Sequence, residues 1–491
     1  MKRQVQLFDL QATSTIKAWL DRPLSREQRI LGWILSLSIF IGLIALLGGP
    51  TSSDSPESVY STWSIAHGSF ACAYPHVKTL SAPLYPLLSG GLAWLLRIGG
   101  SVHFPSAAQL GPHCATAFSA IYKWSVKSGA LQRTLQIGDV SWLALMVGLV
   151  AFLRTTLRGG RVWEPFTLVA MALSLPTLMP LIEEFHPQDI LATGLSLAAL
   201  ASVRRGSWVW AGVLIGLAFT SQQFVLLVAA PLLVVAPSDR RLRFSLAAIG
   251  TVATVALPLL LLTSGRALRA IVVGTGLSPS LGRTLLVETD LHGSLLNYIS
   301  RAAPIVAALA LSLWARRRVG PAALGADFLI SLLALSLCFR LVFELNLYGY
   351  YFMPLGVLLI LLDVTRGSIR GCTIAWLAMV TLVFNPILFY QFANGTTYGL
   401  GPFRGIQIAF LSIAFLLIAY DALLPRIRWY LVAWFILALT AFVRKGWIFG
   451  PSHTAFAVWF WQIVLLLTGA GLAAVPFVEA SRQRSRPNLV S

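Results

Sequence analysis

A long polar loop begins with the sequence Thr-Ser-Ser-Asp-Ser-Pro-Glu-Ser-Val-Tyr at residues 51–60 and later contains Ala-Pro-Leu-Tyr-Pro-Leu at residues 82–87. It follows the first apolar stretch, near residues 30–48, which has about the length that a helix needs to cross a bilayer. The loop therefore places the carboxylates of Asp54 and Glu57 just beyond a membrane surface. Most of the sequence after it is apolar, so we expect chemistry at this loop.

The composition is that of a membrane protein. Apolar residues make up 57% of the 491 residues and charged residues 11%, and the mean hydropathy is +0.77. Soluble domains carry about 25% charged residues, so we predict an all-α polytopic membrane protein that forms one bundle. We attribute the net charge of +19 to cytoplasmic arginines. The sequence has no basic, aromatic-interleaved domain, and we expect no nucleic-acid partner.

Apolar stretches of spanning length recur along the chain and predict a bundle of about 12–14 transmembrane helices. We expect a large first extracytoplasmic loop at residues 49–137, with a helix at 84–98 that lies on or dips into the membrane interface. A polar turn at 221–223 divides one long apolar run into two spans. The predicted spans lie near residues 30–48, 138–154, 164–182, 189–203, 207–221, 222–236, 244–263, 302–315, 326–343, 350–363, 371–390, 405–423, 429–443 and 454–477.

Arginines gather in alternate loops, which predicts cytoplasmic N- and C-termini under the positive-inside rule. We divide the chain into a cytoplasmic leader at 1–28, a single transmembrane domain at 29–480 and a cytoplasmic tail at 481–491. In this topology all seven histidines face the outside of the plasma membrane. The same topology places eight carboxylates on the outer side of the membrane, namely those of Asp54, Glu57, Glu183, Glu184, Asp189, Glu288, Asp290 and Glu344. An active site is therefore expected on the extracytoplasmic face.

Two interpretations of Asp54 and Glu57 remain open. Asp-Ser-Pro-Glu is a good helix start, in which Asp54 caps the helix, Pro56 occupies the first turn and Glu57 completes a capping box. Alternatively, a carboxylate held at the membrane surface acts as a general base that deprotonates an acceptor hydroxyl. The two interpretations are compatible, because a capped turn fixes the position of the carboxylate.

The order of these motifs resembles the GT-C superfamily of glycosyltransferases that use polyprenyl-phosphate sugars. It is closest to the polyprenol-phosphate-mannose-type mannosyltransferases and the related arabinosyltransferases of bacterial envelopes. The resemblance is carried by Asp54, Glu57, Tyr60, Ala66, Gly68 and the stretch 82–86. It implies a GT-C-like bundle, inverting sugar transfer from a polyprenyl phosphate to an envelope glycan or glycolipid, Asp54 as the catalytic base, and no required metal cofactor, although a divalent metal is not excluded. It also implies that Glu57 binds sugar or acceptor hydroxyls.

A second polar stretch, Glu-Glu-Phe-His-Pro-Gln-Asp at residues 183–189, lies at the outer end of a predicted span. Ionisable residues at membrane depth are functional by default, although a helix cap with solvated acids explains them equally well. The family has a polar turn here, then a helix hairpin that 212–223 resembles, so His186, Asp189 and Gln222 are candidate substrate-binding residues. A lysine common after the threonine of that hairpin is Ser221 here, which weakens any phosphate-binding role for this turn.

A third motif joins Arg340 to Glu344 and to the aromatic stretch 348–354. The fork of donors on a guanidinium suits a phosphate, but Arg340 is also placed to snorkel to lipid headgroups. The stretch resembles the aromatic-proline signature of the family, which makes Tyr350 and Tyr351 candidate substrate-binding residues. Tyrosines also form ordinary interfacial belts.

Two other classes of protein remain open beside the glycosyltransferase. A multi-pass transporter or flippase of lipid-linked glycans is the main alternative, and it predicts an internal repeat and charged residues near the membrane midplane. A ligase or polymerase of lipid-linked glycans is the third. The histidines of the first loop match no compact metal-ligand spacing, so we predict no metal site. Cys72 and Cys114 form either a disulfide or two free thiols.

Overall fold

The computed structural model describes residues 15, 17–47, 55–70, 73, 82–98, 123–172, 175–182, 185–262, 293–319, 325–344, 349–367 and 474. Throughout these ranges the chain forms helices and turns without β-strands. Five helical stretches are long and apolar enough to cross a membrane, at Arg26–Ala45, Ala130–Thr155, Ser238–Leu262, Tyr298–Arg318 and Ala326–Phe343. The predicted all-α class is confirmed for this part of the chain, and the five apolar helices are consistent with a membrane protein.

The helices, numbered in chain order, are α1 (Arg26–Leu47), α2 (Ser55–Ala66), α3 (Leu84–Ile98), α4 (Ala130–Asp139), α5 (Ser141–Thr155), α6 (Trp163–Ala172), α7 (Leu175–Ile182), α8 (Pro187–Arg204), α9 (Trp208–Phe219), α10 (Leu226–Val235), α11 (Ser238–Leu262), α12 (Gly293–Val319), α13 (Ala326–Phe343) and α14 (Met353–Arg366). Short 3-10 turns at Gln223–Val225 and Gly349–Phe352 precede α10 and α14. The predicted spans at 371–390, 405–423, 429–443 and 454–477 lie outside the described residues.

Two predicted helix positions agree with the structure. The apolar run at 207–236 is divided into α9 and α10 at the polar turn, and the predicted span 326–343 coincides with α13. Within the predicted span at 164–182 the structure describes α6 and α7, and residues 173–174 between them lie outside the described residues.

Helix α8 is the centre of the described bundle. It packs most extensively on α5 and then on α9, while α13 packs between α12 and α14. The first-loop helices α2 and α3 pack on each other and on α4. The contact between α5 and α8 is close enough to require glycines. A β-carbon on Gly148 would overlap the backbone of Gly194, and one on Gly194 would overlap the backbone of Ala144. Small residues allow membrane helices to approach in this way.

We therefore expect Gly194→Ala to destabilise the protein by about 1–3 kcal/mol, because the added methyl group must push α8 away from α5. Gly250→Ala is the matched control, since a β-carbon there meets no atom within 4 Å and alanine favours a helix. Thermal unfolding of the two detergent-purified variants measures the difference. Equal midpoints for both variants would contradict the close packing of α5 and α8.

Arginines gather at one end of the helices. Helix α8 ends at Arg204, α12 ends with Arg316, Arg317 and Arg318, and α14 ends at Arg366. Both Arg241 and Arg316 donate hydrogen bonds to the carbonyl oxygen of Val234 at the end of α10, at 3.1 and 2.6 Å. The opposite end of these helices carries the beginnings of α8 and α14 and the end of α13.

The predicted leader is folded onto this arginine-rich end. The Asp21 carboxylate accepts hydrogen bonds from Arg158 at 2.5 Å and from the Trp163 indole at 3.0 Å. The backbone N–H of Leu24 donates to the carbonyl of Gly160 at 2.8 Å. The described part of the leader therefore packs against the connection between α5 and α6.

Candidate functional site

A group of polar and aromatic side chains lies at the helix ends opposite the arginines, and we call it the polar cluster. Its members come from the beginning of α8, the turn between α9 and α10, the end of α13 and the 3-10 turn before α14. They are His186, Asp189, Gln222, Arg340, Glu344, Tyr350 and Tyr351.

The chain enters α8 through a strained residue. Phe185 has a φ of 51°, a left-handed conformation that costs a non-glycine residue about 1–3 kcal/mol. Its buried ring packs on Gly138, where an added β-carbon would come within 2.6 Å of the ring. Pro187 then begins the helix, a position that suits its fixed φ. This turn directs His186 and Asp189 inward, where they are 2% and 0% exposed.

The Asp189 carboxylate is only partly satisfied. Its Oδ2 accepts a hydrogen bond from the Gln222 amide at 2.8 Å and lies 3.6 Å from His186 Nδ1. The Gln188 amide lies 2.9 Å from the same imidazole nitrogen. The other oxygen, Oδ1, is buried and accepts no hydrogen bond from any described residue. A buried acceptor without a donor is costly, so Oδ1 marks a place for a ligand.

The first loop reaches the polar cluster through the turn that carries Gln222. The Ser221 hydroxyl donates to the backbone carbonyl of Gln188 at 3.1 Å, which ties the turn to α8. The backbone N–H of Leu84, at the start of α3, donates to the carbonyl of Thr220 at 2.8 Å. The Pro-Leu-Tyr stretch at 83–85 is therefore docked beside the polar cluster, with Tyr85 buried against α8.

Arg340 is the buried cation of the polar cluster. Its guanidinium carbon lies 3.9 Å from the ring centroid of Tyr351 and 5.2 Å from that of Phe224. Its Nε donates to Glu344 Oε2 at 3.3 Å, and the side chain is 12% exposed. Its Nη1 is buried and donates to no described residue. The guanidinium is thus held among protein groups with one donor nitrogen still available, which does not fit the snorkelling interpretation.

Aromatic rings connect Asp189 to Arg340. Tyr350 stacks on His186 with ring centroids 3.9 Å apart and planes 16° apart. Tyr351 meets Tyr350 edge to face at 4.7 Å. Arg340 and Asp189 also interact electrostatically across the polar cluster. The arrangement offers a ligand one cationic donor, one anionic acceptor and an aromatic wall between them.

Six of the eight residues predicted for the site meet in the polar cluster, namely His186, Asp189, Gln222, Arg340, Tyr350 and Tyr351. Glu57 lies in the first turn of α2, which packs chiefly on α3 and α4. Asp54 lies outside the described residues, so its capping and catalytic interpretations both stay predictions. Glu183, Glu184, Cys72 and Cys114 also lie outside them.

Sequence reasoning missed three groups. Glu344 was noted beside Arg340 but not assigned to the site, and the spacing of four residues on a helix was the available signal. Gln188 contacts His186, which no local pattern indicated. Arg301 on α12 donates to the Gln223 amide oxygen at 2.8 Å on the exposed rim, and nothing in the sequence linked these two segments.

A separate cavity of about 460 Å³ lies between α2 and α3. Its lining residues are Ile65, Ala66, His67, Gly68, Phe70, Leu87, Gly90, Gly91 and Trp94. In the part of the chain that the structure describes, no group of three or more His, Cys, Asp or Glu side chains is placed to hold a metal ion. His76, His103 and His113 lie outside that part.

The described residues define an all-α membrane protein with a buried polar cluster at one end of its helices. No model of a known protein family matches the sequence, and a comparison with curated proteins finds no match either.

Proposed function

We propose that the protein is an integral-membrane, inverting glycosyltransferase of the GT-C type. The donor is a sugar of the mannose or arabinose type linked to a polyprenyl phosphate, and the acceptor is an envelope glycan or glycolipid. The observation that supports this most directly is that two buried atoms of the polar cluster, Arg340 Nη1 and Asp189 Oδ1, have no hydrogen-bond partner among the described residues. A glycosyl phosphate satisfies both, because its phosphate oxygens accept from a guanidinium and its sugar hydroxyls donate to a carboxylate.

In the proposed reaction an acceptor hydroxyl attacks the anomeric carbon on the side opposite the phosphate. The bond between that carbon and the phosphate oxygen breaks, and its electron pair leaves with the polyprenyl phosphate. The hydroxyl proton passes to Asp54 as general base. Arg340 stabilises the negative charge that grows on the phosphate, and preorganised charge of this kind is usually the largest catalytic term. Glu57 binds the acceptor, while Asp189, with Gln222 and His186, holds the sugar.

The position of the polar cluster supports a lipid-linked donor on the extracytoplasmic face. The cluster lies at the helix ends opposite the arginines, and arginines mark the cytoplasmic side. A site at the end of a membrane helix is accessible to a lipid that enters sideways from the bilayer. We also propose that the protein forms a bundle of about 12–14 transmembrane helices with a large first extracytoplasmic loop. Both termini are then cytoplasmic.

A transporter or flippase of lipid-linked glycans remains the alternative. It requires charged groups near the midplane that a substrate passes on its way across. The described charges instead lie at the two ends of the helices, with Arg340 and Asp189 at one end and the arginine groups at the other.

Asp189→Asn tests the sugar-binding half of the proposal. The variant keeps an acceptor for the Gln222 amide but loses the charged acceptor for a sugar hydroxyl, a hydrogen bond worth about 1.5–3 kcal/mol. We expect affinity for a polyprenyl-phosphate sugar to fall by about 10–100-fold. Affinity for polyprenyl phosphate without a sugar should stay equal or rise. Binding in nanodiscs measures both.

The exposed carboxylate of Asp239 provides the control, since Asp239→Asn should change neither affinity; Asp239 pairs with Arg240 at the arginine-rich end. If Asp189→Asn lost affinity for both lipids equally, Asp189 would support the fold and would not hold the sugar.

A further inference from the structure

Among the described residues, the polar cluster contains more carboxylates than arginines. Arg340 interacts electrostatically with two carboxylates, those of Glu344 and Asp189. Glu344 lies 3.3 Å from the guanidinium, and Asp189 is fully buried. Arg301 adds a positive charge at the rim, but it is exposed and its field is screened by solvent. A phosphate bound at Arg340 Nη1 therefore meets one buried cation and two carboxylates.

The guanidinium of Arg340 contacts a carboxylate through one edge and can contact a ligand through another atom. Glu344 follows the last residue of α13 in an extended conformation and binds the Nε edge of Arg340. The Nη1 atom remains for a ligand. A phosphate at Nη1 thus does not have to displace Glu344, and the carboxylate stays close to the bound phosphate.

From this arrangement we propose that Glu344 weakens the binding of a phosphomonoester more than the binding of a phosphodiester. The inference rests on the proposed function, in which the donor is a phosphodiester with one negative charge. Transfer of the sugar leaves a phosphomonoester, which carries about −1.5 to −2 charges at pH 7. Coulomb energies scale with the charge of the ligand, so Glu344 repels the lipid product about twice as strongly as the donor. Glu344 therefore promotes release of the polyprenyl phosphate.

Polyprenyl phosphate and its methyl ester are the matched probes, because they share one lipid and differ by one charge. Their dissociation constants are measured at one pH and ionic strength with full-length protein in nanodiscs of uncharged lipid. Glu344→Gln keeps an oxygen that accepts from Arg340 Nε but removes the charge. It should raise the affinity for both lipids. Because the monoester carries about twice the charge, its affinity should rise by about the square of the factor for the ester, for example about 25-fold against about 5-fold.

Asp239→Asn removes an exposed carboxylate at the opposite helix end and should leave both constants unchanged. Equal gains for the two lipids in Glu344→Gln would overturn the inference, because Glu344 would then act only by positioning Arg340. A wild type that binds neither lipid would contradict the proposed function and the inference with it.

Discussion

Replacing Arg340 by Gln is expected to reduce sugar transfer by at least about 10²–10³-fold, because it removes the donor that faces the developing phosphate charge. The change also leaves Glu344 and Asp189 without their shared cation, which destabilises a buried site by about 3–5 kcal/mol. Arg340→Lys separates the two effects. Lysine keeps the charge but loses the planar fork that binds Glu344 and a ligand together. We expect Arg340→Lys to fold normally and to lose about 10–100-fold in kcat/KM.

Arg301→Gln is the matched control, since Arg301 is an exposed arginine at the same end of the helices. Its effect on transfer should be small, at most a fewfold. Steady-state rates with a radiolabelled polyprenyl-phosphate sugar, with melting temperatures beside them, measure all three variants. If Arg340→Lys transferred sugar at the wild-type rate while Arg301→Gln did not, the phosphate would have to be bound at the rim.

Asp54→Asn is expected to lower the transfer rate by about 10²–10⁴-fold and to leave donor binding unchanged. Asparagine has nearly the same shape as aspartate and caps a helix about as well, so α2 should form in the variant. The loss would then report the missing base. Donor binding and single-turnover transfer, measured on the same preparation, keep the two contributions apart.

Glu57→Gln accompanies this variant, because Glu57 lies in the first turn of the same helix. It should weaken acceptor binding and leave the chemical step intact. If Asp54→Asn were as active as the wild type, Asp54 would only cap α2, and the base would have to be Glu57 or Asp189.

Local patterns in the sequence predict helices better than they predict contacts. The length of the apolar stretches and the polar turn at 221–223 were enough to place α9, α10 and α13. Hydropathy carries no information on backbone dihedral angles, so the strained φ of Phe185 could not be predicted.

The candidate site was predictable as a set of residues but not as an arrangement. Polar groups at helix ends indicated His186, Asp189 and Arg340 separately, and the structure joins them although Arg340 lies about 150 residues from the other two in sequence. The guanidinium of Arg340 contacts Glu344 through one edge and leaves Nη1 for a ligand. This orientation depends on side-chain packing against Tyr351 and Phe224. Such packing is a long-range property that no short motif contains. The first-loop contact at Leu84 is of the same kind.

If the protein cleaves sugar from a lipid phosphate, a labelled sugar must leave its lipid and reach an acceptor. Purified protein in sealed vesicles is given a polyprenyl phosphate that carries a radiolabelled mannose or arabinose, together with an envelope glycolipid extract. We predict that label appears on the acceptor, that unlabelled polyprenyl phosphate accumulates, and that Arg340→Lys slows both. Movement of the intact labelled lipid across the bilayer, with no label on the acceptor, would contradict the glycosyltransferase and identify a transporter.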